Sequence, residues 1–265
     1  MKKLVLALSA LAAFTGSAIA ADLPARTYKA PPPPAPVYNW TGFYIFGGGG
    51  YGIFDTSTYT TTFPGGTPLT IGHKDGGDGF FGTAGIGYDW QFGGPWVAGV
   101  FADGQFGSIR GSVTDPLSGP FGVSGTLKDR TNAAAGVRLG YLVAPNVLSY
   151  INGGYSFAEF SGSTLLNNRT AGAFATTPTF HRNGWFVGGG VENSLNIFGI
   201  AAPGWFMKTE YRVAEYERTT LPETFVPPAG VGLTGLAVSV KPIVQTVSTS
   251  LVYRFNWGGP IVGKY

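Results

Sequence analysis

The sequence predicts an all-β protein, an eight-stranded antiparallel transmembrane β-barrel with long extracellular loops and short periplasmic turns. Three observations predict it: a secretory signal with no later helical span, strand segments with a period of two, and connections that alternate between short and long. The last strand shows the alternation, since Val247, Leu251 and Tyr253 lie on one face and Ser248 and Arg254 on the other. This pattern is typical of a strand between two different environments. Taken alone, it fits an edge strand of a soluble sheet equally well.

Residues 1–20 have the three parts of a signal peptide. Two lysines precede an apolar core over residues 4–14, and a small-residue cleavage site follows at 18–20. The core is too short for a transmembrane helix, which needs about 20 apolar residues. No later stretch has 18 consecutive apolar residues, so a membrane-spanning chain would have to cross with strands. The chain has no cysteine, which excludes disulfides and Cys-ligated metals.

The composition favours one folded barrel rather than a disordered or nucleic-acid-binding chain. Cleavage after residue 20 removes two of the 17 basic residues and leaves them nearly balanced against 14 acidic ones. This balance does not predict a nucleic-acid partner. Aromatic residues make up 15% of the chain, which argues against disorder despite 43 glycines.

A proline-rich segment follows the signal peptide and contains four consecutive prolines, Pro31 to Pro34. Such a run is typical of a stiff polyproline linker, although a binding segment is an alternative. At about 3.1 Å per residue, the segment from Ala21 to Val37 reaches roughly 50 Å. The predicted domains are therefore a signal peptide at 1–20, a Pro-rich periplasmic linker at 21–39, the barrel at 40–257 and a tail at 258–265.

The connections between the predicted strands give the strongest argument. We predict eight strands, over 41–54, 79–92, 96–109, 131–144, 148–160, 183–197, 205–217 and 243–256. Short connections at 93–95, 145–147 and 198–204 alternate with long ones at 55–78, 110–130, 161–182 and 218–242. A sandwich or a lipocalin has no reason to keep one end short, whereas an outer-membrane barrel has short periplasmic turns and long extracellular loops. Both termini are then predicted to be periplasmic.

Charged residues recur on the face of these strands that lies opposite the large apolar residues. A lipocalin would place its polar residues outside, whereas here they are predicted to line the lumen. An eight-stranded barrel is only wide enough for side chains to fill its interior, and unpaired buried charge is costly. The four acidic and four basic residues therefore predict an internal ion-pair network. Its members are Asp89, Asp103, Arg138, Glu192, Lys208, Glu210, Arg212 and Arg254.

Aromatic residues concentrate near the short-turn ends of the predicted strands. They predict the periplasmic aromatic girdle of a membrane barrel rather than ordinary core aromatics. The predicted girdle comprises Trp40, Phe43, Trp90, Phe92, Trp96, Tyr141, Trp205, Tyr253, Phe255 and Trp257.

Several motifs resemble one family of membrane barrels. The segments Trp40 to Ile45, Gly136 to Tyr141 and Leu251 to Phe255 resemble the Omp25/Omp31-like small outer-membrane β-barrels of alphaproteobacteria, a porin family with an OmpA-type eight-stranded barrel. The resemblance covers roughly residues 40–256. Many such barrels stop at the terminal Phe, whereas this chain continues to Tyr265. The insertion signal is therefore either Phe255 or Tyr265.

The resemblance implies a structural, surface-exposed protein of the outer membrane that contributes to envelope integrity. Ala21 and Asp22 match an N-terminal pattern that is attached to peptidoglycan in some members. The expected partners are outer-membrane lipid, lipopolysaccharide, the barrel-assembly machinery and peptidoglycan, with no nucleic acid. Two alternatives remain open: a narrow channel for ions or small solutes, and binding of a ligand or host surface through the long loops.

The sequence predicts no catalytic residue, no cofactor and no metal site. Gly47 to Gly52 lie within a strand, so they do not form a phosphate-binding loop. His73 and His181 are isolated in loop regions and are predicted to be solvated. An enzyme would need a nucleophile and a carboxylate near His181, and only Ser161 and Ser163 are candidates.

Overall fold

The computed structural model describes residues 39–197 and 200–255. Within these ranges the chain forms eleven β-strands and no helix, which confirms the all-β prediction. They are β1 (Gly42–Thr62), β2 (His73–Phe92), β3 (Trp96–Asp115), β4 (Val123–Ala144), β5 (Val147–Ser161), β6 (Thr164–Asn167), β7 (Ala173–Thr176), β8 (Phe180–Ile197), β9 (Ile200–Tyr216), β10 (Thr219–Phe225) and β11 (Leu233–Phe255). Among the same residues, no helix is long and apolar enough to span a membrane.

The predicted signal peptide, all but the last residue of the predicted linker, and the tail lie outside the described residues. The same holds for Asn256 and Trp257, at the end of the predicted barrel. The domain boundaries at both ends of the chain therefore stay predictions.

Eight strands close into an antiparallel ring, in the order β1, β2, β3, β4, β5, β8, β9 and β11, with β11 pairing back onto β1. The closing pair runs from Phe43 opposite Phe255 to Thr62 opposite Leu236. Closure lets every ring strand pair on both sides, so no strand edge is exposed to lipid. These are the eight predicted strands, and the barrel prediction is confirmed.

The strands extend well beyond their predicted ends on the side of the long connections. β1 continues to Thr62 instead of residue 54, and β11 begins at Leu233 instead of residue 243. The predicted ends of these strands were wrong because Thr56, Thr58 and Thr60 are polar yet β-branched, which favours strands. All three side chains are buried, and their alternation continues the period of the barrel strand.

Three short strands continue the barrel wall above the ends of β5, β8 and β9. β6 pairs with β4 and β7, and β10 pairs with β7 and β11. We call this region, together with the upper ends of β1, β3, β4 and β11, the loop-side wall. It has its own apolar interior, which includes Phe54, Val113, Leu127, Leu165 and Val240. The predicted loops 161–182 and 218–242 thus contain folded sheet.

The first two predicted short connections are confirmed as tight turns between ring strands. Residues 93–95 and 145–146 join consecutive ring strands. The third predicted turn, 198–204, was too long, because β9 already begins at Ile200 and pairs there with Ile197. The side chains around this turn lie outside the described part of the chain.

The outer surface of the ring is apolar. Phe43, Ile86, Val137 and Ile151 each expose more than 60% of their surface. A water-soluble protein would not present such a continuous apolar band, whereas a membrane barrel requires it. On β3 the band runs from Trp96 to Phe106, in agreement with the ~9–11 residues that a tilted strand needs to cross a bilayer. We call it the apolar belt.

Aromatic side chains line the short-turn end of the belt. Trp96 packs against Tyr141 with ring centroids 5.1 Å apart, and Trp205 packs against Tyr253 at the same distance. Trp40 does not join them, because it is fully buried inside the ring. Its assignment to the girdle was wrong: the strand begins only at Gly42, and the chain before it turns into the lumen mouth.

Candidate functional site

The candidate site is the lumen of the ring. All eight charged residues that the alternation assigned to the inner face are buried, none being more than 7% exposed. They form two clusters. The first cluster lies toward the short-turn end and contains Asp89, Arg138, Glu192 and Arg254. The second lies closer to the loop-side wall and contains Asp103, Lys208, Glu210 and Arg212.

The first cluster is a closed arrangement of two carboxylates and two guanidinium groups. Arg138 donates from Nε to Asp89 at 2.9 Å and from Nη1 to Glu192 at 3.1 Å. Its Nη2 donates to the other Asp89 oxygen. Arg254 donates to the same two acids, at 2.7 Å to Glu192 and 2.8 Å to Asp89. Each carboxylate therefore contacts both arginines. Because the four residues come from β2, β4, β8 and β11, these contacts join opposite walls.

Aromatic rings enclose the first cluster. The Arg138 guanidinium lies 4.4 Å from the ring centroid of Tyr44 and 5.2 Å from that of Tyr150. The Arg254 guanidinium lies 4.4 Å from the centroid of Trp40 and donates to the Trp40 carbonyl oxygen at 3.3 Å. Stacking on aromatic faces is favourable for a guanidinium, which is weakly hydrated. The rings also fill the lumen around the charges.

The second cluster is centred on Arg212. Two of its nitrogens donate to the two Asp103 oxygens at 2.9 and 2.6 Å, a bidentate pair between β9 and β3. Arg212 also donates to Glu210 at 2.9 Å. The other Glu210 oxygen accepts from Tyr150 at 2.8 Å and from Asn152 at 2.9 Å. Glu210 therefore has partners on both oxygens, as a buried carboxylate requires.

Lys208 completes the second cluster with a weaker contact. Its ammonium lies 3.8 Å from Glu210 and 3.4 Å from the ring centroid of Phe46. The Arg212 guanidinium likewise lies 4.4 Å from the ring centroid of Phe186. Cations in the lumen are thus compensated by carboxylates and by aromatic faces.

Glycines make room for these large side chains. Gly87 on β2 faces the Tyr44 ring, and a Cβ atom there would lie 2.3 Å from the phenol. Gly82 on the same strand has no atom within 3.4 Å of its Cβ position. A glycine at 87 is therefore required by packing rather than by backbone conformation.

No group resembling a catalytic site was found among the described residues. His73 lies 2.9 Å from the Thr58 hydroxyl and 3.2 Å from Asp75, and His181 stacks on Phe157. In the same part of the chain no hydrogen bond joins His181 to Ser161 or Ser163, and no group of three or more histidine or acidic residues is placed to hold a metal.

The sequence analysis missed a pair of buried acids in the loop-side wall. Asp115 accepts hydrogen bonds from Thr60 at 2.6 Å and from the Leu117 amide at 2.8 Å, and Glu223 accepts one from Ser118. Burial raises the pKa of Glu223 to about 8; the Ser118 hydrogen bond opposes this rise and the neighbouring Asp115 adds to it. These residues were missed because both lie in segments that were predicted to be loops.

The comparisons with known proteins agree with the fold. No protein-family model matches the chain. The 31 kDa outer-membrane immunogenic proteins of Brucella melitensis biotype 1 and Brucella suis biovar 1 are each 28% identical to it, over 96% of this chain and 100% of theirs. The chain is a homologue of these outer-membrane proteins. The resemblance to their family and the location in the outer membrane are thereby confirmed.

A solved structure gives independent support for the barrel. The outer-membrane protein OprG from Pseudomonas aeruginosa superposes with a TM-score of 0.54 at 14% identity, covering 82% of this chain and 98% of that one. At this identity the likeness concerns the fold alone. Which end of this outer-membrane barrel faces the periplasm stays a prediction.

Removing one partner of the first cluster should destabilise the barrel strongly. Arg138→Leu leaves Asp89 and Glu192 with Arg254 alone, and breaking a buried pair in this way costs about 3–5 kcal/mol. Arg130→Leu is the matched control, because that side chain is 60% exposed and its ion pair should contribute less than about 1 kcal/mol. Urea unfolding of the two variants in lipid vesicles measures both effects. Equal free energies of unfolding for them would contradict a structural role of the cluster.

The loop-side wall should become less stable as pH rises. Glu223 has a pKa near 8 in the fold, above the ordinary value of 4.5, so the folded state favours its protonated form. That stability is present at pH 4 and is lost as pH rises through about 8. Glu223→Gln should therefore raise the free energy of unfolding at pH 9 relative to wild type, by an amount on the order of a few kcal/mol, and change it little at pH 4. Thermal midpoints of the two proteins at both pH values measure the effect. Glu217→Gln, at an exposed position, should show no such pH-dependent difference.

Proposed function

We propose that this protein is a structural, surface-exposed barrel that contributes to the integrity of the outer membrane, with a lumen that is closed to solutes. The observation that carries the proposal is the pair of charge clusters, which join opposite walls at two levels of the lumen. Buried ion pairs of this kind hold the walls together and occupy the space that a channel needs. The Brucella homologues are outer-membrane immunogenic proteins, which supports exposure at the cell surface.

The main alternative is a narrow channel, and the geometry argues against it. Asp89, Glu192 and Arg254 are no more than 2% exposed, so water does not reach them in the closed arrangement. Planar-bilayer recording of the wild-type protein should therefore show no large, steady conductance. A stable open channel in a single barrel would contradict the closed lumen.

The proposal also includes an orientation, with the loop-side wall outside the cell and the short turns in the periplasm. The chain has no cysteine, so single cysteines can be labelled without background. Thr67→Cys, at an exposed tip beside β1, should react with an impermeant thiol reagent on intact cells, whereas Asn146→Cys, at an exposed short turn, should react only after the outer membrane is opened. The opposite pattern would reverse the orientation.

We further propose that the N-terminal segment fastens the barrel to the cell wall. Ala21 and Asp22 match the pattern of attached family members, and residues 21–37 reach roughly 50 Å if they are extended. Mass spectrometry of protease-treated sacculi should then find a peptide that begins at Ala21 and is joined to peptidoglycan. Deleting residues 21–36 should remove the peptide and weaken the envelope. If neither occurs, the segment is a plain linker.

A further inference from the structure

The loop-side wall contains two neighbouring carboxylates that come from opposite sides of its interior. Asp115 ends β3, and Glu223 lies on β10. The pairings give this wall the closed strand order β1, β2, β3, β4, β6, β7, β10 and β11, in which β3 and β10 lie four strands apart in either direction. The two carboxylates are nevertheless close enough for each to influence the other. We call Asp115 and Glu223 the acid pair.

The acid pair is buried and only half satisfied. Both residues are 0% exposed. One oxygen of Asp115 accepts from the Thr60 hydroxyl and the Leu117 amide, and one oxygen of Glu223 accepts from the Ser118 hydroxyl. The other oxygens, Asp115 Oδ2 and Glu223 Oε1, are buried and have no hydrogen-bond donor among the residues that the structure describes. Burying such oxygens is costly unless a proton or a cation binds them.

No basic side chain compensates the acid pair in the part of the chain that the structure describes. All ion pairs there involve other acids. Burial is the main cause of the raised pKa of Glu223, and the charge of Asp115 adds to it. The first lumen cluster differs, because Arg138 and Arg254 bind its two carboxylates. The loop-side wall thus brings two carboxylates together without a cation of its own.

The surroundings of the acid pair favour a metal ion over a shared proton. A proton between the two carboxylates would satisfy both free oxygens but leave one negative charge buried without a partner. A divalent cation would satisfy the same oxygens and neutralise both charges. The hydroxyl oxygens of Thr60 and Ser118 lie beside the carboxylates and can supply further lone pairs to a hard cation. We propose that the acid pair binds Ca²⁺ through Asp115 Oδ2 and Glu223 Oε1.

The choice of Ca²⁺ over Mg²⁺ follows from the burial of the ligands. Asp115, Glu223, Thr60 and Ser118 are all at most 1% exposed, which disfavours an ion that keeps its water. Mg²⁺ usually keeps several waters and needs near-ideal octahedral geometry, whereas Ca²⁺ accepts irregular sets of oxygen ligands. With only two carboxylates, the dissociation constant should fall in the weak range of ~10⁻⁴–10⁻³ M that is typical of extracellular calcium modules.

A bound cation would fasten the most weakly paired part of the loop-side wall. β10 pairs with β7 at only two positions, Thr224 with Thr176 and Phe225 with Ala175. A metal ion shared by β10 and β3 would add a link across the interior that these edge contacts do not provide. Ca²⁺ should therefore stabilise the wall as well as bind to it.

The test measures Ca²⁺ binding by the full mature chain in zwitterionic detergent micelles, which have no net charge to attract the ion. Wild type is compared with Glu223→Gln and with Asp115→Asn. Asp129→Asn is the matched control, because Asp129 is also buried with one oxygen that lacks a donor. In the described chain no second acid contributes to its environment. Equilibrium dialysis with radioactive Ca²⁺ gives the affinity, and thermal unfolding in CaCl₂ and in EDTA gives the stabilisation.

Binding in micelles depends neither on the orientation of the barrel in the cell nor on closure of the lumen. A negative result would therefore leave the proposed function intact, and a conducting or inverted barrel could still bind Ca²⁺. The variants also separate binding from folding. Glu223→Gln is expected to be more stable than wild type at pH 9 in EDTA, so its loss of the Ca²⁺ response would not result from misfolding.

Wild type and Asp129→Asn should bind Ca²⁺ and unfold at a higher temperature in CaCl₂ than in EDTA. Binding should weaken as pH falls below about 8, because the proton on Glu223 competes with the metal. Glu223→Gln and Asp115→Asn should each lose at least about tenfold in affinity and lose the thermal shift.

Three results would overturn the proposal. If wild type binds no Ca²⁺ at millimolar concentration, the acid pair holds a shared proton only. If Glu223→Gln binds Ca²⁺ as tightly as wild type does, the ion binds elsewhere on the barrel. If Mg²⁺ binds to wild type as tightly as Ca²⁺, the assignment to Ca²⁺ is wrong.

Discussion

The barrel depends on the pairing of Asp89 and Glu192 with Arg138 and Arg254. Each strand of the ring contributes backbone hydrogen bonds only to its two neighbours, so these bonds cannot join strands across the lumen. The charged side chains do so, because Arg138 on β4 and Arg254 on β11, which lie on opposite sides of the ring, both bind the same two carboxylates. Burying four charges is costly unless every carboxylate oxygen has a partner, and in this cluster every one has. The composition of the remaining lumen follows from that requirement.

The aromatic residues and glycines of the inner face form one packing system with the charges. Tyr44 and Trp40 cover the arginines, and Gly87 leaves the space that the Tyr44 ring occupies. The same arrangement recurs in the loop-side wall, where Gly111 faces the ring of Phe54. High glycine content is therefore compatible with a rigid barrel, since the missing side chains on one strand are replaced by large ones from the next.

The alternation of apolar and polar residues, with a period of two, was sufficient to predict the eight ring strands and the residues that face inward. It could not indicate which acid pairs with which base, because Asp89 and Arg254 are far apart in the chain and their meeting depends on strand order and stagger. The loop-side wall was missed for a different reason. Threonine counts as polar in a hydropathy pattern, yet the Thr60 hydroxyl is buried against Asp115. Where polar groups satisfy one another inside, polarity no longer distinguishes a loop from a strand.

The loop-side wall limits where the sequence beyond the apolar belt can change in length. Because β6, β7 and β10 pair with the ring strands, most of the sequence beyond the membrane is held in register and cannot gain or lose residues without shifting a strand. The four longest connections on this side of the described chain, at 63–72, 116–122, 168–172 and 226–232, are the least constrained, although Leu69 still donates to the Thr60 carbonyl oxygen. Insertions and epitope tags will be tolerated there, and length differences between natural variants will concentrate at the same four places. Antibodies that recognise the wall between these connections will require the folded barrel.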